Sequence, residues 1–182
     1  MAEINYENDR TGAAETARGS DNRLNTSARV DSRAYYNSRD VGRCFSLTFD
    51  HQSAAAGEYC VYWQNTSPNR TLVISDIETN AAENVRFKVS LVTGTGSGTS
   101  ITPVQLNPSQ PYAAEATCLQ GPVSGLTEYG IIEFASVGSL KRENIDLKDR
   151  LRLGQNDALA IEYDEGTTGD FWGTIFGYYE ES

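Results

Sequence analysis

LRLGQNDALAIEYDEGTTGDFWGTIFGYY, residues 151–179, is the stretch that decides the fold. In its first half Leu159, Ile161 and Tyr163 alternate with small or charged residues. This period of two is typical of a β-strand with one buried face. Turn residues rich in glycine and threonine follow at 166–170, before a second strand-like run. The stretch therefore predicts two strands joined as a closing β-hairpin.

The second strand of this stretch carries large side chains on both faces. One face holds Phe171, Ile175 and Tyr179, and the other holds Trp172, Phe176 and Tyr178. A two-layer sandwich needs only one apolar face per sheet, so the second face indicates burial against something else. Two interpretations stay open: a contact between copies of the chain, or a central strand covered by the chain's own loops. The first predicts a contact between copies of the chain at or near Phe171, Trp172, Phe176 and Tyr178.

The rest of the chain after residue 43 shows the same pattern of short strand-like runs between turns. Seven further runs lie at 45–49, 59–63, 72–77, 85–91, 101–106, 131–134 and 145–151. GTGSG at 94–98 is predicted to be a hairpin connection, and 107–128 an irregular crossing with a short helix near 113–118. Nine short strands without an amphipathic helix predict an all-β protein, an antiparallel β-sandwich of jelly-roll type. A parallel α/β fold would need crossover helices.

Residues 1–43 differ from the rest in composition. They contain four aliphatic side chains larger than alanine and three tyrosines, too few for a core of their own. They also hold seven arginines, seven acidic residues and no lysine, so their net charge is zero and residues 44–182 carry the whole −10. We therefore predict an extended, largely irregular N-terminal arm, 1–43, and a β-sandwich knob domain, 44–182.

The charge and the cysteines exclude several classes of protein. A domain of net charge −10 repels phosphate backbones, so no nucleic-acid partner is expected. The start MAEINYENDR has neither a basic nor an apolar segment of a signal peptide, and no run is long enough to span a membrane, so no membrane partner is expected. Cys44, Cys60 and Cys118 lack metal-ligand spacing, which favours free buried thiols in a reducing cytoplasm.

No motif in the sequence predicts an enzyme or a cofactor. The one histidine, His51, has neither a GxSxG motif nor a cysteine-protease signature to accompany it. Asp164, Glu165 and Asp170 flank a turn and offer oxygen ligands to Ca²⁺, but solvated turn acids are commoner, so no metal is expected. GTGSG lacks the GK[ST] of a phosphate-binding loop.

Aromatic residues leave a second interpretation open. If exposed, they would form a sugar-stacking platform on a sandwich. The same side chains also suit a core or a subunit interface, which is the favoured interpretation. The residues in question are Tyr59, Tyr62, Trp63, Trp172 and Tyr178.

The end of the arm has the composition of an interface. Residues 29–43 read RVDSRAYYNSRDVGR, with four arginines and a tyrosine pair among acidic residues. Arginine makes planar, bidentate and stacking contacts that lysine cannot make, and arginine and tyrosine are enriched in interface hot spots. This pattern predicts that part of the arm becomes ordered on a partner.

Four phrases together resemble tailed-bacteriophage head decoration, or cement, proteins with an N-terminal arm and a β-sandwich knob. They are VDSRAYYNSRD (30–40), EYCVYWQNTS (58–67), LVTGTGSG (91–98) and LRLGQNDALAIEYDEGTTG (151–169). The resemblance runs from about Asn25 to Tyr179. It implies a trimer on the outer capsid surface of the virion, made in the host cytoplasm, whose arms reach over neighbouring subunits of the major capsid protein.

On this resemblance, the partners expected are the major capsid protein and two further copies of the chain. The residues expected to contact capsid are Arg23, Arg29, Arg33, Tyr35, Tyr36, Arg39 and Arg43. The alternative is a carbohydrate- or receptor-binding β-sandwich knob of a virion fibre.

Overall fold

The computed structural model describes residues 36–110 and 112–181, apart from the side chains of Arg39 and Asp40, together with the backbone of four short strands nearer the N-terminus. The chain divides into two compact units, Met1–Ser32 and Arg33–Ser182. Residues 36–43, which the sequence assigns to the arm, therefore belong to the same unit as the predicted knob.

The first unit contains two short antiparallel strand pairs. Strand β1 (Ile4–Glu7) pairs with β2 (Ala14–Ala17), and β3 (Gly19–Ser20) pairs with β4 (Arg23–Leu24). The sequence predicts no strands here because these segments lack an alternating apolar pattern.

The described part of the second unit begins with a π-helical turn, Asn37–Val41, and continues with nine strands. The strands are β5 (Cys44–Ala54), β6 (Glu58–Asn65), β7 (Arg70–Ala81), β8 (Val85–Ser100), β9 (Val104–Gln105), β10 (Ala116–Val137), β11 (Arg142–Leu153), β12 (Ala158–Gly166) and β13 (Gly169–Glu181).

These nine strands form two antiparallel sheets packed together. The first sheet has the order β11-β7-β13-β5-β9. In the second, β6 and β12 lie side by side, β8 pairs with β12, and the long β10 pairs with both β8 and β6 and so closes the sheet on itself. The predicted all-β, jelly-roll-like sandwich is confirmed.

The core lies between the sheets and is built from the alternating residues that the sequence indicates. Leu159, Ile161 and Tyr163 of β12 are fully buried there, as are Phe171 and Ile175 of β13. Burying one large apolar side chain stabilises a fold by roughly 1.5–3 kcal/mol. In β12 and β13 the period of two therefore assigns the residues that face the main core correctly.

The connection between β12 and β13 corrects the predicted hairpin. The two strands do not pair with each other: β12 lies between β6 and β8, and β13 lies between β5 and β7 in the opposite sheet. The turn between them is a corner that carries the chain from one sheet to the other, and the Tyr163 hydroxyl donates a hydrogen bond to the carbonyl oxygen of Thr167 within it. Both strands therefore lie between two neighbours in their own sheets.

The region from 94 to 128 is the other large correction. GTGSG is not a hairpin connection, because it lies inside β8, and much of the predicted crossing, including half of its expected helix, is the first half of β10. Glycine is depleted in strands, so the sequence favours a loop. Gly94 has a φ of +109°, and a Cβ there would overlap the carbonyl oxygen of Gly125 on β10. The glycines therefore allow the two long strands to approach each other closely.

The curled β10 encloses a second, smaller core on the outer face of its sheet. Its buried members are Tyr62, Val92, Leu119, Val123, Ala158 and Ala160. The alanines alternate with the large residues of β12, so this strand faces the main core on one side and the smaller core on the other. Small residues here leave room for the strand that passes over them.

All three cysteines are free and buried, as predicted. Burial raises the pKa of Cys44 to about 11 and that of Cys60 to about 12. It also raises the pKa of Cys118. Thiols in this environment are not reactive thiolates at neutral pH.

Candidate functional site

The segment just before β5, where the predicted arm joins the domain, is the candidate site; we call residues 36–43 the arm root. The π-helical turn contacts β13 and ends at Gly42, whose φ of +68° suits glycine. A Cβ on Gly42 would overlap the Cβ of Gln110. Both the backbone conformation and the packing therefore require glycine at this position.

Residues in and just after β9 hold the arm root. The Gln105 side-chain amide donates to the carbonyl oxygen of Gly42, and the Asn107 side-chain amide donates to that of Ser38 at 2.7 Å. The backbone N–H of Leu106 donates to the carbonyl oxygen of Cys44 at 2.8 Å. Three consecutive residues thus fix the chain at the point where it enters the first sheet.

Two arginines stack on one tyrosine beside the arm root. The guanidinium carbons of Arg43 and Arg70 lie 5.3 and 5.0 Å from the ring centroid of Tyr112. Arg43 forms an ion pair with Glu181, and Arg70 forms one with Glu115 at 3.0 Å. The hydrogen bond from Arg43 holds the pKa of Glu181 below its ordinary value. We call these five residues the root clamp.

The root clamp is attached to the main core. The Tyr179 hydroxyl donates to the carbonyl oxygen of Glu115 at 2.9 Å, and the Tyr179 N–H donates to that of Arg43 at 3.0 Å. The ring of Phe45 lies edge to face on Tyr179, with 5.8 Å between centroids. The arm root is therefore connected to the sandwich core through hydrogen bonds and a ring contact.

The residues predicted to contact capsid are placed as follows. Arg29, Arg33 and Tyr35 lie outside the described residues, as do the side chains of Arg23 and Arg39. Tyr36 is 43% exposed. Arg43 belongs to the root clamp, so its guanidinium is engaged within the domain. Capsid contact by this set stays a prediction.

The residues predicted to join subunits divide into two groups. Phe171 is fully buried in the main core, and Tyr178 is fully buried against Cys44 and Val73. The side chains of Phe171 and Tyr178 are inside the domain, so their assignment to a subunit contact is wrong. Trp172 and Phe176 are half-buried on the outer face of the first sheet, and for them the contact stays a prediction.

The burial of the aromatic residues also disfavours the alternative interpretation, a sugar-stacking platform. Tyr62, Trp63 and Tyr178 are fully buried, while Tyr59 and Trp172 are half-buried. A sugar ring stacks on an exposed aromatic face, which three of these five side chains do not offer. The aromatic residues are mainly core residues, the interpretation favoured by the sequence.

The turn acids near β12 and β13 are engaged with protein groups. Asp164 and Glu165 lie 2.6 and 3.1 Å from the guanidinium nitrogens of Arg86, and Asp170 accepts the N–H of Ser53 at 2.9 Å. Within the described residues, no group of three or more His, Cys, Asp or Glu side chains is placed to hold a metal ion.

His51 is buried and helps to hold the turn between β5 and β6. Its Nε2 lies 3.1 Å from Oε2 of Glu58, and the same carboxylate oxygen accepts the N–H of Ala55 at 2.9 Å. The hydrogen bond from the Ala55 N–H lowers the pKa of Glu58 most, and the hydrogen bond with His51 lowers it further.

A half-buried ionic cluster connects β10 to two other strands of the second sheet. Lys88 Nζ lies 2.9 Å from Oε2 of Glu128 and 2.9 Å from Oε2 of Glu162. The Ser90 hydroxyl donates to Glu128 at 2.9 Å. The hydrogen bond from Lys88 lowers the pKa of Glu128. The cluster thus joins strands β8, β10 and β12 through one ammonium group.

Sequence reasoning missed most of the root clamp. Arg70, Tyr112, Glu115 and Glu181 are far apart in the chain and show no common spacing. Tyr112 follows the proline-rich run 108–111, which predicts only an irregular loop. Only the cluster of arginines and tyrosines at 29–43 pointed to this part of the molecule.

Comparisons with known proteins add no family to this geometry. No protein-family model matches the chain, and no curated protein matches it. In the part of the chain that the structure describes, no helix is both long and apolar enough to cross a membrane.

Proposed function

We propose that this chain is a virion structural protein, a trimeric decoration protein on the head of a tailed bacteriophage. Its N-terminal arm would clamp neighbouring subunits of the major capsid protein on the outer surface of the head. The observation that carries the proposal is the arm root, where an arginine-rich segment joins a β-sandwich through a clamp attached to the core.

The length and composition of the chain before Tyr36 suit this role. Five arginines and no lysine lie in residues 1–35, so each positive side chain can form a bidentate or stacking contact. Fully extended, 35 residues span at most about 120 Å. That reach is sufficient to cross one capsid subunit and to contact the next.

The root clamp gives such an arm a mechanical attachment. Ordering an arm on a partner costs conformational entropy that only a large interface offsets. Three arms on one trimer would act together, so each can bind weakly while the trimer is retained. Because the arms would bind only the assembled shell, they would stabilise that state against internal DNA pressure.

The charge of the domain supports a position outside the shell. Residues 44–182 carry the net charge of −10, and such a surface is repelled by packaged nucleic acid. The alternative function, a carbohydrate- or receptor-binding knob, predicts saturable glycan binding by the isolated domain. The burial of the aromatic residues gives that alternative little support.

Deletion of residues 1–35 tests the proposal and keeps the root clamp intact. We expect the truncated protein to remain folded and to lose co-sedimentation with expanded phage heads that lack their own decoration protein. Two double variants separate the effect of charge from that of side-chain geometry. In one, Arg29 and Arg33 are both replaced by Lys, which keeps the charge; in the other, both are replaced by Ala, which removes it. The lysine pair should bind more weakly than the wild type, since lysine lacks the bidentate fork. Undiminished binding by the truncated protein would refute the proposed role of the arm.

A further inference from the structure

The two sheets have very different free edges. Strand β11 is at the edge of the first sheet, where it pairs only with β7 among the described strands. Its exposed side chains are polar and mostly charged: Arg142, Asn144, Asp146, Lys148, Arg150 and Arg152. Charged side chains on an edge strand discourage pairing with another chain. The β11 edge is therefore protected against association.

The second half of β10 is an edge without this protection. From Glu128 to Val137 it pairs with β8 and, in the described part of the chain, with no second strand. Its exposed side chains include Tyr129 at 56%, Ile131 at 47% and Phe134 at 49%. An exposed apolar edge strand usually marks a site that another chain covers. We call this surface the β10 edge.

Few charges surround the β10 edge within its own strand. Residues 116–140 contain no lysine or arginine and two acids, Glu128 and Glu133. Glu128 shares Lys88 with Glu162, with 2.9 Å between the charged atoms of each pair, so one positive charge offsets two negative charges. Charged residues make up 22% of the whole chain. The edge strand therefore carries few charged side chains compared with the rest of this strongly acidic domain.

This charge distribution indicates which partner the edge fits. Two domains that each carry a net charge of −10 repel each other, and the repulsion is smallest where uncharged surfaces meet. A basic partner would gain more from the acidic parts of the surface than from this edge. The Arg86 guanidinium lies 5.6 Å from the ring centroid of Phe134 and is paired with Asp164 and Glu165, so it offers no free positive charge to a partner. A second copy of the chain is thus the occupant that the edge favours.

We infer that a second copy of this chain docks on the β10 edge, over Tyr129, Ile131 and Phe134. This inference rests on the proposed homotrimer and moves its contact from β13 to β10. In a closed trimer the contact is heterologous, so the β10 edge of one protomer meets a different surface of the next. Backbone groups of the edge strand supply hydrogen bonds, and the three side chains supply apolar area.

Light scattering on full-length protein tests the inference with matched lysine substitutions. Ile131→Lys puts a charge on the edge, and Val104→Lys puts the same charge at a 64% exposed valine on β9, in the other sheet. We expect a trimer for the wild type and for Val104→Lys at micromolar concentration, and a monomer for Ile131→Lys. A monomeric wild type, or a trimeric Ile131→Lys protein, would overturn the inference. The inference would also be overturned if Trp172→Lys were the only variant that dissociated the trimer.

Hydrogen exchange gives a second measurement that does not depend on a variant. The amides of residues 129–136 should exchange faster as the wild-type protein is diluted, because dissociation exposes them. Exchange that is independent of concentration would contradict docking on this edge.

Head binding separates this inference from the proposed function. Ile131→Lys should lower the apparent affinity for heads by on the order of 100-fold or more, since one arm would replace three. A wild-type trimer that fails to bind heads would refute the proposed function and leave the β10 contact intact. If the wild type is monomeric and Ile131→Lys weakens head binding, the occupant of the edge is capsid and the inference is wrong.

Discussion

The rings of Tyr163 and Phe171 meet edge to face across the two sheets, with 5.9 Å between centroids and 87° between planes. Phe171 also lies 5.7 Å from Phe49 and 5.4 Å from Phe87, measured between centroids. One short corner in the chain separates Tyr163 from Phe171, yet the two rings belong to opposite layers. This aromatic cluster therefore joins the sheets at the point where the chain passes between them.

Replacing Phe171 with Ala should destabilise the protein by about 3–5 kcal/mol, because it leaves a cavity among the aromatic rings that surround it. The free energy of unfolding, measured by urea denaturation, checks this value. The oligomeric state of the folded fraction should not change, since the side chain is fully buried.

Trp172→Ala is the matched control, because Trp172 is adjacent in sequence and half-buried on the outer face. Its free energy of unfolding should fall by less than that of the Phe171 variant. Equal losses would mean that the outer face contributes as much to stability as the core does. Trimer dissociation by Phe171→Ala without a loss of stability would contradict the burial of Phe171.

Replacing Tyr112 with Ala should release the arm root, because both guanidinium groups lose the ring on which they stack. Cation–π contacts contribute roughly 0.5–1 kcal/mol each at exposed sites, so we expect a loss of about 1–2 kcal/mol. Hydrogen exchange of residues 36–43 is the direct measurement, and it should become faster in the variant.

Tyr112→Phe separates the ring from the hydroxyl. The hydroxyl oxygen is buried and has no hydrogen-bond partner among the described residues, so its removal should cost little or nothing. Exchange in the arm root should stay slow. Fast exchange in the Phe variant would show that the hydroxyl, and not the stacked ring, holds the segment.

Acid should weaken the attachment of β10 through Glu128. The bond from Lys88 lowers the pKa of Glu128 from its ordinary value of 4.5. The unfolded chain therefore takes up a proton at a higher pH than the folded protein does. The stabilisation is fully present above about pH 4.5 and is lost as the pH falls through the folded pKa.

Thermal unfolding between about pH 6 and about pH 3 measures this effect. The Tm of Glu128→Gln should be lower than that of the wild type at the upper pH and should fall less steeply in acid. Glu133→Gln is the control on the same strand, since Glu133 is exposed. If the Tm of Glu128→Gln falls with pH as steeply as that of the wild type, other carboxylates, such as Glu58 and Glu181, dominate the loss of stability in acid.

The predictable part of the site was its position at the end of the arginine-rich segment. The clamp itself was not predictable, because Tyr112 and Glu181 reach Arg43 only through the folding of the sandwich. The β10 edge was partly predictable: the apolar residues Ile131, Ile132 and Phe134 indicated a strand, but not that this strand would lie at an edge. Exposure depends on which strands pair, and pairing is not encoded in a single strand's pattern.

The sequence by itself determined the all-β class and the inward residues of most strands, because a period of two places apolar residues on one face of a strand. It also indicated the buried thiols, because the three cysteines lack metal-ligand spacing. Only the tertiary structure decided that β12 and β13 lie in different sheets, that GTGSG is part of a strand and that Tyr178 is inside the domain. The pattern of apolar residues in a single segment shows which of its faces must be buried. The packing of the whole chain decides which segment covers them.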